Sequence, residues 1–467
     1  MRYVSTRGQA PAIGFRDAIV SGLAPDGGLY VPDRWPVLVA DEIAALAGKP
    51  YAQIAAAIIG RFTGEEIAGP VLRNLADDAY STFRHKAVTP LVQIGANHFL
   101  LELFHGPTLA FKDVAMQFLA RLMDHILAER GARVTIIVAT SGDTGGAAIE
   151  AFGGAERVDI AILFPDGRVS SVQRRQMTTA NKSNVQAIAI EGTFDDAQAL
   201  VKSMFGDEAF RRRVALSGVN SINWGRIVAQ IVYYFAAAVA LGAPHRPVSF
   251  TIPTGNFGNI FAAYVAARMG LPIEKLVIAT NPNDILHRTL TSGRYEVRGV
   301  TATSSPSMDI QVSSNFERLL FDVTGRDGAK VRRAMAGLAQ SGAFTIDADS
   351  QQQIGRLFTS GSCDETETAA TMKRVLGETG ILIDPHTAVG VAVAERQRGS
   401  GTPMITLATA HPAKFPDAVK AAAGVHPELP EWTGDLMDRE EVYNVFPADL
   451  AAIKQAIEER SRAVQSA

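Results

Sequence analysis

Apolar positions along the chain fall into two regimes. Up to about residue 85 they recur at helical spacing between turns. Ile54 to Phe62 (IAAAIIGRF) predicts a mostly apolar helix, and Pro25-Asp26-Gly27-Gly28 a tight turn. Pro90 and the apolar run Phe99 to Phe104 open the second regime. From Arg133 onward, short β-branched runs alternate with helical patterns. Val134 to Ala139, Val158 to Phe164 and Val185 to Ile190 predict buried strands, as do Val248 to Ile252, Leu276 to Thr280 and Met404 to Leu407. Helices are predicted through Ala147 to Phe152 and from Thr193, where Asp196 supplies a variant capping box. The run Ile227 to Leu241 is interrupted by Gln230 and ends at Gly242, too short for a membrane span, and reads as a buried helix. From about Glu440 the pattern is an amphipathic helix with a polar end.

Strands alternating with helices imply an α/β protein with parallel sheets covered on both faces. In such sheets ligands bind at the carboxyl ends of the strands, which directs attention to the loops after Ala139, Ile252 and Leu407. Composition then narrows the chemistry. With 45 Lys and Arg against 48 Asp and Glu in 467 residues, the formal charge of −3 argues against a nucleic-acid binder. Cys363 is the sole cysteine, so no internal disulfide forms and a reducing compartment, the cytoplasm, is the expectation. The opening MRYVSTRG does not read as a signal peptide, and no membrane partner is expected. No metal site is expected: His-Glu-x-x-His and paired cysteines are absent, and His105, His386 and His411 read as hydrogen-bonded structural residues.

Two glycine-rich loops sit where strands meet helices. Thr140-Ser141-Gly142-Asp143-Thr144-Gly145-Gly146 follows the first strand, and Pro253-Thr254-Gly255-Asn256-Phe257-Gly258-Asn259 follows the fourth. Small residues let the chain turn into a helix whose free N–H groups face an anion. Neither loop has the phosphate-binding lysine spacing of an ATP enzyme or a dinucleotide fingerprint. Each alone also reads as a capped turn; the pair suggests a ligand with two anionic groups, or two ligands. Two lysines sit in apolar surroundings, Lys112 in HGPTLAFKD and Lys414 in HPAKF. Taken alone, each reads first as a surface lysine with a buried stem. A buried lysine beside a phosphate cradle would suggest pyridoxal phosphate, which needs one of each.

In order along the chain, these motifs resemble threonine synthase in its longer bacterial and fungal form. The resemblance runs through YVSTRG at Tyr3 to Gly8, GLAPDGGLYVP at Gly22 to Pro32, HGPTLAFKD at His105 to Asp113, SGDTGGAA at Ser141 to Ala148 and NSINWGRI at Asn220 to Ile227. It continues through PTGNFGNI at Pro253 to Ile260, SMDIQVSSNFERLLF at Ser307 to Phe321, DPHTAVG at Asp384 to Gly390 and ATAHPAKF at Ala408 to Phe415. It implies a tryptophan synthase β-like, fold-type II pyridoxal 5'-phosphate enzyme with two α/β domains. The implied division is an N-terminal family-specific subdomain (1–85), a smaller domain with the Schiff-base lysine and the SGDTG loop (86–215), a larger one with the cofactor-phosphate loop (216–430), and a C-terminal helical segment (431–467). The implied reaction turns O-phospho-L-homoserine and water into L-threonine and phosphate.

The resemblance selects Lys112 as the Schiff-base residue. It places Gly255, Asn256, Phe257, Gly258 and Asn259 on the cofactor phosphate, Thr409 at the pyridine nitrogen and Asp143 near the ring hydroxyl. The loop Ser141, Gly142, Asp143 and Thr144 receives the substrate carboxylate, and Thr144, Asn220, Ser221 and Arg226 grip the substrate phosphate. Asp309 and Ser313-Ser314-Asn315 are candidates to close over the site. A monomer or homodimer is expected, without the extension that carries S-adenosylmethionine control in plant relatives. The alternatives are a lyase of the same fold releasing 2-oxobutyrate from a phosphorylated amino acid, and a catalytically silent relative acting as a binding protein.

Overall fold

The β-branched runs sort into two sheets. In the computed structural model, which describes residues 1–399 and 401–464, Val134–Ala139, Val158–Pro165 and Val185–Glu191 lie parallel at the centre of a five-stranded sheet. Leu216–Ser217 and Asn444–Pro447 form its edges. The six-stranded sheet runs in the order Phe358–Ser362, Ile273–Thr280, Val248–Pro253, Met404–Ala408, His98–Glu102 and Leu91–Gly95. Its strands are parallel except the last, an antiparallel edge. The predicted inner strands are fully buried, as sheets covered by helices on both faces require.

Sheet membership does not follow chain order. Residues 91–102 precede the smaller sheet's first strand yet belong to the larger sheet, and 444–447 return to the smaller one. The C-terminal amphipathic helix forms over Leu450–Arg460, burying Ile453 and Ile457 against the smaller sheet's outer cluster. Its expected polar end at 465–467 lies outside the described residues.

The predicted apolar helix forms over Tyr51–Thr63, burying Ile54, Ile58, Ile59 and Phe62 at helical spacing. Phe62, Tyr3 and Trp35 surround Trp224, with ring centroids 5.7, 5.9 and 6.3 Å away. Trp224 opens the buried helix Trp224–Ala240. The first eighty residues thereby pack on the helix that carries Arg226. Buried Arg318 strengthens that joint by donating to the carbonyls of Tyr30, Ser221 and Ile222.

Three strand ends converge as the topology rule requires. Thr140 follows Ala139, Thr254 follows Pro253, and Thr409 follows Ala408, and all three line one cleft. The segment leading to Lys112 is laced to the Thr409 loop. Leu103 N–H donates to Ala408 O (3.0 Å), Phe111 N–H to Thr409 O (2.8 Å) and His411 N–H to Leu109 O (3.0 Å).

Candidate active site

Lys112 is the first residue of the helix Lys112–Arg130 and is buried, which overturns its reading as a surface lysine. The turn before it is fixed by Asp113, whose carboxylate accepts from Thr108 N–H (2.8 Å) and Thr108 Oγ1 (2.6 Å). A Cβ on Gly106 would lie 2.5 Å from that of Asp113, so only glycine fits there. Lys112 Nζ donates to Asp143 Oδ2 at 3.1 Å and to Ser307 Oγ at 3.4 Å. Burial pulls its ammonium below the ordinary lysine range. Asp143 opposes that shift, and Lys414 and Arg226 add to it.

Lys414 is not a surface lysine either: its side chain is 0% exposed. Its Nζ lies 3.1 Å from Asp143 Oδ1 and donates to Thr108 O (2.7 Å) and Gln176 Oε1 (2.8 Å). Asp143 therefore sits between two lysines, and also accepts from Gln173 Nε2 at 2.9 Å. Burial resists its ionisation. Lys112, Lys414, Gln173 and His386 together outweigh that resistance and hold the carboxyl well below its usual range.

The first glycine-rich loop turns on Thr140, whose Oγ1 accepts from the amides of Gly142 and Gly145, each at 2.9 Å. Gly142 adopts a φ of 132°, and its N–H is consumed within the loop. Ser141 and Thr144 face the cleft. In the second loop Phe257 holds a φ of 62°, strained for a bulky residue, and this swings the chain into the helix Gly258–Arg268. The first intrahelical donor is Phe261, bonding Phe257 O at 2.9 Å, so the amides ahead of it open towards the cleft. A Cβ on Gly255 would meet Ser307 O at 2.6 Å. Asn259 Oδ1 accepts from the hydroxyls of Tyr233 and Tyr234, which leaves its Nδ2 buried without a partner.

On the same cleft, buried Arg226 donates from Nη1 to Val219 O at 3.1 Å, while its Nε has no partner. Burial pulls its guanidinium down to about 10. Asn220 Oδ1 and Gln230 Oε1 are likewise buried and unpartnered. Orphaned buried polar atoms cost about 1–3 kcal/mol each, and four of them on one cleft mark it as built for a polar ligand. The cleft encloses about 1140 Å³ of atom-free space, part of it open to solvent. It gathers Lys112, Ser141, Thr144, Asn220, Ser221, Arg226, residues 255–259 and Thr409. Asp143 joins it through Lys112, and Gly142 does not line it.

Two residues were not expected here. His386, read from sequence as structural, lines the cleft, its Nδ1 2.7 Å from Asp384 Oδ2 and its Nε2 accepting from Ser307 N–H at 3.2 Å. Ser307 Oγ lies 3.4 Å from both Lys112 Nζ and Asp143 Oδ2. The Asp384-Pro385-His386-Thr387 run carried a signal, a helix cap with proline at the first turn, but no sequence rule aims its histidine at the Ser307 segment. Of the proposed closing residues, Ser313 Oγ donates to Gly255 O at 2.6 Å and Asn315 Nδ2 to Ser221 Oγ and Asn256 O, each at 3.0 Å, tying the Ser221 turn to the second glycine-rich loop. Asp309 lies in a separate polar knot with Asn281, Asn283 and Thr303.

Three protein-family models match this chain. "Threonine synthase N terminus" covers residues 2–80, "Pyridoxal-phosphate dependent enzyme" 83–409, and "Threonine synthase, C-terminal" 387–457. A threonine synthase of Pseudomonas aeruginosa is 51% identical over 456 residues, covering 97% of each chain. The chain belongs to the threonine synthase family. A pyridoxal-phosphate-bound threonine synthase structure from Brucella melitensis superposes with a TM-score of 0.96 at 61% identity, over 99% of this chain and 100% of that one. The yeast threonine synthase structure gives 0.92 at 41% identity, over 98% of each. Family membership makes this a fold-type II lyase with pyridoxal phosphate as cofactor and a small molecule as substrate. The cleft fits that cofactor: open amides at 255–259 and the unpartnered Asn259 Nδ2 suit a phosphate, and the same cleft holds a buried amine bonded to Asp143.

Proposed function

We propose that this threonine synthase converts O-phospho-L-homoserine and water to L-threonine and phosphate, with Lys112 as the residue that bonds the cofactor. The observation that carries the reading is one cleft that holds a buried amine, Lys112, together with two sets of anion donors. One set is the amide cradle at 255–259, assigned to the cofactor phosphate. The other is Arg226 with Asn220, Ser221 and Thr144, assigned to the substrate phosphate. Ser141 and Thr144 at the first loop take the substrate carboxylate, and Gly142 serves as its turn. Thr409 offers a neutral hydroxyl partner to the ring nitrogen.

When bound, pyridoxal phosphate supplies an electron sink for carbanions beside the substrate nitrogen. The chain's own groups do the rest. Lys112 Nζ, freed by the substrate amine and lowered in basicity by burial, takes the proton from the α-carbon and can return it elsewhere. Arg226 Nε and Nη2 hold the phosphate at the γ-carbon while it leaves, a charge-assisted contact that strengthens as charge builds. A β-proton is lost, the γ-carbon gains one, and water delivers hydroxide to the β-carbon, so atoms balance as threonine plus phosphate. Asn315 and Ser313 hold their segment against the Ser221 turn and the 255–259 loop.

Residues 1–85, 86–215, 216–430 and 431–467 are proposed as successive units, with Leu91–Gly95 and His98–Glu102 lent to the larger sheet and Asn444–Pro447 to the smaller, in a monomer or homodimer located in the cytoplasm. Among the described residues no helix is long and apolar enough to cross a membrane. The test is incubation of the cofactor-loaded protein with O-phospho-L-homoserine. Threonine and phosphate in equal amounts are expected. Phosphate with 2-oxobutyrate would identify a lyase on the same scaffold, and no turnover a silent relative.

A further inference from the structure

The reading of Lys112 leaves a second lysine unexplained. Lys414 is fully buried; its Nζ donates to Thr108 O and Gln176 Oε1 at 2.7 and 2.8 Å and forms an ion pair with Asp143 Oδ1 at 3.1 Å. Its side chain is 0% exposed and, unlike that of Lys112, does not line the cleft. It reaches Asp143 through the oxygen facing away from Lys112, while Lys112 holds the other. A single buried carboxylate beside a single buried lysine would lock the pair as an ion pair, because each charge stabilises the other in a poorly solvated site. An ammonium can neither bond a carbonyl nor accept a proton.

We propose that Lys414 is a positioning residue that neutralises Asp143 from behind, so that Asp143 stays ionised while the amine of Lys112 is free to lose its proton. This rests on Lys112 being the cofactor-bonding residue. Asp143, Lys414 and Lys112 form a row of charges: with Lys414 present, the field at Lys112 comes from a compensated pair, and without it from a bare carboxylate. The other charged or titratable groups facing this row are Arg226, Asp113, His386 and His411. Asp113 is already satisfied by Thr108, and His386 is tied to Asp384. Lys414 is thus the one cation bonded to the outer oxygen of Asp143 among the described residues. Its backbone carbonyl also accepts from Ser170 Oγ at 3.0 Å, anchoring the helix Ser171–Thr178 that supplies Gln173 and Gln176.

The test reads the proton affinity of Lys112 directly. The full chain, stripped of cofactor, is labelled at its amines with an acylating reagent across a pH series, and the Lys112 peptide is quantified by mass. Lys414→Met is expected to raise the labelling midpoint of Lys112 by about one pH unit or more. Lys414→Arg, which keeps the charge, should leave the midpoint near that of the unaltered chain. A purely structural lysine would lower thermal stability in Lys414→Met and leave the midpoint in place, and that result overturns the proposal. If Lys414→Met does not fold, Lys414→Gln, which removes the charge and keeps a donor for Thr108 O and Gln176 Oε1, is read in its place. A raised midpoint supports the proposal, and an unchanged midpoint refutes it. Failure of the underlying reading shows separately, as an unaltered chain that takes up pyridoxal phosphate without bonding it to Lys112.

Discussion

Single side chains here carry charges whose neighbours decide their use. Arg226 is buried, points an unpartnered Nε into the cleft and keeps its charge even with its guanidinium lowered to about 10. Replacing it by Gln removes a charge-assisted contact worth about 2–3 kcal/mol, so kcat/KM for the phosphorylated substrate should fall about 100-fold. Steady-state kinetics with unchanged kcat/KM would place the substrate phosphate elsewhere. His98 and His411 show how burial sets the pH response of the fold. Burial holds both imidazoles down at about 4, and His98 Nε2 shares a hydrogen bond with Thr406 Oγ1 at 2.9 Å. An unfolded histidine titrates near 6.5, so between about pH 4 and 6.5 the unfolded chain binds more protons and stability is lost as pH falls. Asp113, pushed up to about 6 by burial, works in the opposite sense, losing stability as pH rises through about 4 to 6. Two histidines outweigh one aspartate. Urea midpoints of the cofactor-free chain should drop between pH 7 and pH 5, and His98→Gln should flatten that drop by about 2 kcal/mol. An equally steep drop in His98→Gln would assign the pH response to other groups.

At the scale of loops and strands, the glycine-rich turns work by close approach. A Cβ on Gly255 would press on Ser307 O at 2.6 Å, and Ser307 is the residue that reaches Lys112 and donates its N–H to His386 Nε2. Gly255→Ala should therefore weaken pyridoxal phosphate binding about tenfold or more, measured by equilibrium titration, while the chain still melts cooperatively. Undiminished affinity would mean that the cradle does not hold the cofactor phosphate. Much of this level was legible in the sequence. Buried parallel strands are continuous apolar runs, so 134–139, 158–164 and 248–252 stand out in the sequence and form within one residue of those bounds, and the Thr193 cap is present, with Thr193 N–H donating to Asp196 Oδ2 at 2.7 Å. Leu216–Ser217 was hidden because two residues carry no periodicity, and Asn444–Pro447 because an exposed edge strand need not be apolar. Lys112 and Lys414 could not be told from surface lysines, because burial depends on what the remote SGDTG loop and the Ser171–Thr178 helix bring against them. Ser307 and His386 meet across 79 positions of sequence, a distance no local pattern spans.

Across the whole molecule, the site depends on segments far from the cleft. Glu317 accepts from Thr6 Oγ1 at 2.6 Å and from Arg7 at 3.0 Å, and the neighbouring Arg318 ties Tyr30 to the Asn220–Ile222 turn. The N-terminal strands, the segment after Ser313 and the substrate-phosphate turn therefore form one joint. The two sheets then meet with their carboxyl ends facing, and the central claim is that this meeting places one lysine, Lys112, against the cofactor. Reduction of the cofactor-loaded protein with borohydride, digestion and mass mapping of the bonded peptide tests it most directly. The reduced cofactor is expected on the peptide carrying Lys112 and none on the peptide carrying Lys414. Cofactor on Lys414, or on neither lysine, would contradict it.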